Sequence, residues 1–422
     1  MMSLRAAVQS AAAEIERLYT DLHRHPELSF AEFRTARIVA ERLREMGLEV
    51  RTGIAGTGVV GSLDNGSGPV VALRADMDGL PVLEETGLDY ASTDQAVDRQ
   101  GATVPVMHAC GHDVHVSCLL GATQVLASRK ADWSGTLIVV FQPAEEEGGG
   151  AQAMVDDDVF AGLPRPHIVL GQHVAPVAAG FVGAHPGEAF AAADSFDVHL
   201  FGRGGHGSRP ETTIDPVVLA AATVLRLQTI VSREIAGHDT AVVTVGQIHS
   251  GSKNNIIPDE ATLGLSIRST TETVRASVLQ AVRRVIAAEA AASGADREPQ
   301  VIARESFPVL VNDPTATERT IGVFQSQFGE GKVLDPGPVT GSEDVGILAT
   351  AAGAPLVYWL LGGIDPGVYA TAVAAGTTDR DIPSNHSPFF APVLHPTLET
   401  GVEALVVAAL EWLDTRGDAA SP

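Results

Sequence analysis

Apolar residues recur along this chain first at helical and then at strand spacing, and their order outlines the fold. Over residues 3–48, Ala12, Ile15, Leu18 and Tyr19 share one helical face, and Ile38, Val39, Leu43 and Met46 share another. His25-Pro26-Glu27 separates the two helices; Ser29 is placed to cap the second and Gly47 to end it. Short apolar runs at 59–63 and 70–73 flank Asp64-Asn65-Gly66, which predicts a hairpin. A helix is expected from Cys110 to Ala127, with Val116, Leu119, Leu120, Thr123 and Leu126 turned inward. Residues 135–141 form a continuous apolar run, as expected of a strand covered on both faces, and 168–173 repeats the pattern with His173 at its end.

The texture changes near residue 190. Residues 195–201 alternate like a half-exposed strand. A helix at 216–234, strands at 240–248 and 261–269, a helix at 272–293 and a strand at 300–305 follow, which is the order of a ferredoxin-like split unit. After 308 the α/β pattern resumes with a helix near 315–328, a strand at 356–361 and a helix at 395–415. The expected architecture is therefore α/β: a sheet domain formed by residues 1–193 and 307–422, with a smaller α+β domain, residues 194–306, inserted into it. A length of 422 residues fits this division, since one core stops growing at about 250–300 residues.

Composition narrows the function classes. A net charge of −24, from 28 basic and 52 acidic residues, leaves no basic surface for nucleic acid or an anionic membrane. No apolar run reaches the roughly 18–20 residues of a membrane span. The first twenty residues carry Arg5, Glu14, Glu16 and Arg17 instead of the apolar stretch of a secretion signal. With only Cys110 and Cys118 in the chain, a reducing cytoplasm is the expected setting.

The chemistry concentrates in residues 107–147. Cys110-Gly111-His112 places a thiolate and an imidazole on one turn, a donor pair suited to zinc, with manganese, cobalt or nickel as alternatives. About thirty residues later comes Glu145-Glu146-Glu147 at the end of a predicted core strand. Successive side chains diverge there, so one carboxylate can coordinate while its neighbour takes a proton from water. His173 and His386, each beyond an apolar strand, could complete a second metal site. Asp76 and Asp78 follow another strand and suit either a polar turn or the site. In the inserted domain, His206 lies in Gly202–Pro210, either a tight surface turn or a histidine offered to a substrate carbonyl. Asn255 is a plain loop residue or an amide donor; Arg268 pairs with a surface acid or with a substrate carboxylate.

Taken together, the motifs His-Ala-Cys-Gly-His-Asp (108–113), Phe-Gln-Pro-Ala-Glu-Glu (141–146), Leu-Gly-Gln-His (170–173) and Asn-His-Ser-Pro (385–388) resemble the dinuclear amidohydrolase branch of the co-catalytic metallopeptidases. That branch includes hippurate hydrolases, aminoacylases, certain carboxypeptidases and auxin-conjugate hydrolases. The resemblance starts at Asp21–Ser29, passes through Arg74–Asp78 and reaches the last helix. It implies two divalent cations held by Cys110, His112, Glu146, His173 and His386, with Cys110 bridging. It implies Glu145 as general base, His206 as the group polarising the scissile carbonyl, and Asn255 and Arg268 near the substrate. It also implies that the inserted domain serves as lid and homodimer surface. The expected activity is amide cleavage of an N-acyl-amino acid, with an exopeptidase acting on dipeptides as the alternative and a non-catalytic metal-bound binding protein as the rival from another class. Glu147 stands where relatives commonly have glycine, which could move the base and ligand assignments by one place, and Val345 stands where an aromatic is common.

Overall fold

The computed structural model describes residues 3–415. They form two compact units. The first runs from the N-terminal helix to Gly187 and adds Val311–Gly337 and the chain from Asp344 onward; the second is Glu188–Leu310 with Pro338–Glu343.

The first unit is built on an eight-stranded mixed sheet. Its strands lie in the order Glu49–Ile54, Gly58–Asp64, Thr136–Gln142, Val70–Asp76, Ile168–Ala178, Leu356–Ile364, Val182–Gly183, Val333–Leu334. Four neighbours in the middle, from Thr136–Gln142 to Leu356–Ile364, run parallel. Parallel strands at the centre of an α/β sheet are covered on both faces, which explains why Val70–Asp76 is buried at every position. The helix His112–Ser128 is buried over almost its whole length, packed between Leu4–Arg24 and Leu394–Trp412.

Three local expectations changed. The runs around Asp64-Asn65-Gly66 do not pair with each other: Thr136–Gln142 enters between them, antiparallel to one and parallel to the other. A run as apolar as Thr136–Phe141 is most stable with a neighbour on each edge and cover on each face, and that long-range gain overrides the turn signal. Asn65 instead closes the loop by donating its side-chain amide to the carbonyls of Lys130 and Trp133. Ser29 does not cap the second helix, which starts at Phe33 behind Glu32; its hydroxyl donates to Asp78 at 2.6 Å. His173 lies inside its strand, because pairing with Leu356–Ile364 carries the strand on to Ala178.

In the second unit, strands Ala241–Ser250, Glu260–Ser269, Ala192–Phe201 and Gln300–Phe307 form an antiparallel sheet in that spatial order. Helices Pro216–Arg233 and Glu272–Ala292 close a separate core with Leu219, Leu227, Ile230, Val278 and Ile286. Pro216–Arg233 is the one described helix long and apolar enough to cross a membrane. The stripe formed by Leu219, Ala220, Thr223, Leu227 and Ile230 is instead buried in this core, at the spacing of an amphipathic helix.

Candidate metal centre and active site

The site of the first unit forms where the parallel strands end, as open α/β sheets dictate. Val70–Asp76 delivers Asp76 and, two residues on, Asp78; Thr136–Gln142 delivers the turn Pro143-Ala144-Glu145-Glu146. That turn is tight: Ala144 has φ +50°, and a Cβ at Gly150 would lie 1.7 Å from the Pro143 carbonyl oxygen. Gly111 separates Cys110 from His112 at φ +81°, with Val174 crowding the place of a side chain, so only glycine lets both neighbours face the site. His386 is also left-handed, at φ +71°, its N–H donating to the Ala109 carbonyl at 2.8 Å.

These segments gather two donor sets that share Cys110. The ligand atoms of Cys110, His112 and His173 lie within 4.8 Å of one another, and so do those of Cys110, Glu146 and His386. Cys110 Sγ is 3.5 Å from His173 Nε2, and His386 Nε2 is 3.3 Å from Glu146 Oε2. Glu145 joins His112 and Glu146 in a third such cluster. Glu147 turns away and pairs with Arg99.

The residues present fit a pair of divalent cations. His112 Nε2 and Glu146 Oε1 are buried without a hydrogen-bond partner, and they face each other at 3.8 Å. Buried polar atoms are ordinarily satisfied, so an unsatisfied ring nitrogen opposite an unsatisfied carboxylate oxygen marks a place for a cation. Thiolate, imidazole and carboxylate form a transition-metal donor set. Supporting contacts hold the ligands as metal-bound histidines usually are held. His112 Nδ1 meets Asp78 Oδ1 at 3.2 Å, and Asn385 donates to the carbonyls of Cys110 and Val174.

Electrostatics point the same way. Burial pushes the Cys110 thiol well up, and the charges of Glu146, Glu145 and Asp76 push it further. Burial works against protonated His112, yet Asp76, Asp78 and Glu146 outweigh it and raise the imidazole to about 10. Burial holds His173 well below its ordinary value, and neighbouring His115 adds to that. Carboxylates thus crowd a buried space in which Arg74 and protonated His112 supply counter-charge, and cations would add to it.

The remaining expected residues belong to the second unit. His206 is exposed on the short strand Gly205–His206, which pairs with Ile256–Ile257, and its Nδ1 accepts from the Ser208 hydroxyl at 2.8 Å. The Asn255 carbonyl takes the N–H of Gly207. Arg268, on Glu260–Ser269, donates to the Ser342 hydroxyl at 2.5 Å.

The sequence left Asp78 open between a polar turn and the site, and it gave no role to His115, Arg74, Asp344 or Glu32. Asp78 accepts from the N–H groups of both Glu145 and Glu146 at 3.1 Å; its position after a core strand was the only available signal. His115 bonds Asp76 and takes the Val174 N–H. Arg74 and Asp344 form a buried ion pair, and Asp344 accepts from Gln142 and Ala151. Glu32 accepts from Ala144 N–H at 2.9 Å across 112 residues, and nothing local announces such a contact.

Comparison with known proteins follows the same lines. The model of peptidase family M20/M25/M40 matches residues 72–406. A thermostable carboxypeptidase of Saccharolobus solfataricus is 36% identical over 86% of this chain and 90% of its own length. The hippurate hydrolase of Campylobacter jejuni is 37% identical over 82% of this chain and 87% of its own. A solved structure from methicillin-resistant Staphylococcus aureus has a TM-score of 0.85 at 30% identity, covering 97% of this chain and 99% of that one. A dinuclear metal-binding peptidase of Bacillus subtilis has a TM-score of 0.73 at 26% identity, covering 96% and 99%.

Proposed function

The chain belongs to peptidase family M20/M25/M40, whose members hydrolyse amide and peptide bonds, and from that premise we propose that it cleaves the amide of N-acyl-amino acids. The observation that carries this reading is the convergence of Cys110, His112, Glu146, His173 and His386 in two sets sharing one thiol, with Glu145 beside them. Cys110, His112 and His173 would hold one cation and Cys110, Glu146 and His386 the other. A bound pair supplies Lewis acidity toward an amide carbonyl and makes water easier to deprotonate.

The chain's own groups do the rest. Glu145 takes the proton of the attacking water and returns it to the leaving nitrogen, the two-way transfer a positioned carboxylate can perform. Asp78 holds the backbone of Glu145 and Glu146 through two N–H bonds, so the base and its neighbour keep fixed directions. In the second unit, His206 donates to the carbonyl oxygen as charge builds there, Asn255 lies at the substrate, and Arg268 takes the free carboxylate of the amino-acid half. Motif resemblance supports these three roles. We read the second unit as an inserted lid of ferredoxin-like topology and as the surface of a homodimer. Exposed Val242 and Ile248 on its edge strand, with Val217, Val218 and Leu225 on its first helix, support an apolar interface. Two buried, unpaired cysteines suit a reducing cytoplasm.

The carboxypeptidase relative favours a second reading, an exopeptidase that releases C-terminal residues. One panel separates the readings: benzoyl- and acetyl-amino acids against dipeptides, with metal content measured on the same sample. Preference for the acyl-amino acids supports the proposal, and preference for dipeptides transfers it to the exopeptidase. A fully metal-loaded protein that releases nothing from any of them is a binding protein instead.

A further inference from the structure

The turn that presents Glu145 and Glu146 is gripped from two sides by residues outside the motifs. On the buried side stands Glu32, with 0% exposure. Its Oε1 accepts from Phe30 N–H and from Ala144 N–H, both at 2.9 Å, and its Oε2 accepts from the Thr57 hydroxyl at 2.5 Å. Phe30 and Ala144 are two of the few non-glycine residues with positive φ, at +60° and +50°. One oxygen therefore holds two backbone conformations that side-chain-bearing residues seldom adopt.

On the outer side stands Arg99, at the tip of the hairpin Gln95–Val97/Thr103–Pro105. Asp98 shapes that tip by accepting from Gln100 and Ala102, which directs Arg99 outward along the hairpin. The guanidinium pairs with Glu147 and lies over the Phe30 ring, 5.1 Å from its centroid. The contacts close a ring: Glu32 to Ala144, along the turn to Glu147, across to Arg99, down to Phe30 and back to Glu32. Glu145 and Glu146 lie on the arc of that ring between Ala144 and Glu147, where Asp78 also takes their N–H groups.

We propose that Glu32 and Arg99 are positioning residues that clamp the turn 144–147 from inside and outside and so set where Glu145 and Glu146 point. This rests on the functional reading above. Neither residue belongs to the donor clusters of the site. Glu147 is the handle by which the hairpin grips the turn. A base displaced by a fraction of an ångström leaves binding nearly intact and slows the proton transfer.

The test uses the metal-loaded full chain and its best acyl-amino acid. Glu32→Gln keeps an oxygen for both N–H groups, and its turnover should stay within about threefold of wild type; Glu32→Met, of similar volume, removes it, and kcat should fall at least about tenfold with KM within about twofold. Metal content and circular dichroism of both should match wild type, and the affinity for added Zn²⁺ should weaken in the Met variant. Should Glu32→Met fail to fold, surface variants give a second route. Arg99→Ala and Glu147→Ala should each lower kcat about threefold to tenfold, with the double variant no worse than either single one. The clamp is refuted if folded Glu32→Met equals Glu32→Gln, or if the two surface substitutions leave kcat unchanged or multiply independently. Glu145→Gln run in parallel separates the two levels. If it keeps full turnover, the catalytic reading itself is at fault; if it is dead while the clamp variants run at wild-type rate, only the clamp is.

Discussion

Asp78 shows most compactly how this site is made. Its two oxygens take the N–H groups of Glu145 and Glu146, the Ser29 hydroxyl and the His112 ring, so one buried carboxylate sets both the ligand side and the base side. Asp78→Ala should weaken metal affinity about 10–100-fold, the usual cost of losing a group that orients ligands. Titration with Zn²⁺ against a competing chelator measures it, and an unchanged affinity contradicts the orienting role. Glu145→Gln should keep the metal and lose roughly 10²–10⁴ in kcat, the part owed to proton transfer. Equal loss of metal and turnover would make Glu145 a ligand instead. The residue types of this site were legible because thiolate, imidazole and paired glutamates are rare in such short stretches. Glu32 was not legible: a glutamate near a helix start reads as solvated surface, and only the buried return of residue 144 onto it gives it work.

At the scale of elements, the helix His112–Ser128 is tied to the first helix through a buried chain. His23 Nδ1 meets Asp113 at 2.6 Å and its Nε2 meets Glu84 at 3.0 Å. Tyr19 and Tyr90 pack on the ring. Burial alone would favour the neutral ring, but the two carboxylates prevail and raise His23 to about 9. A group whose value is raised on folding stabilises most when it is protonated in both states. The contribution is therefore complete below about 6.5 and fades as pH rises through about 9. The melting-temperature gap between wild type and His23→Gln should be widest near pH 6 and narrow steadily toward pH 9.5; a gap independent of pH refutes a charged His23. Element type was readable from periodicity for most core segments, though the strand Glu49–Ile54 and the helix Pro366–Ala375 were not foreseen, whereas neighbour relations were not readable. The strand pair around Asn65 shows why: a turn signal is local, while the gain from covering Thr136–Gln142 on both edges comes from residues seventy positions away.

The whole molecule carries two separate cores, one around the mixed sheet and one around the antiparallel sheet. The proposed cation site draws only on the first. Calorimetry should therefore resolve two transitions, and removing metal should lower only one of them. The difference amounts to about 3 kcal/mol for a ligand present a hundredfold above its Kd. A single transition, or two that shift together on chelation, contradicts independent units. By itself the sequence determined the alternation of helix and strand, the change of texture near residue 190 and the donor types, because each of these depends on spacing along the backbone or on side-chain chemistry. Only the tertiary structure decided which strand lies between which, that Ser29 serves Asp78, and that Glu32 and Arg99 meet the glutamate turn. Those outcomes come from burial and hydrogen-bond satisfaction among segments far apart in the chain, and no local pattern encodes that competition.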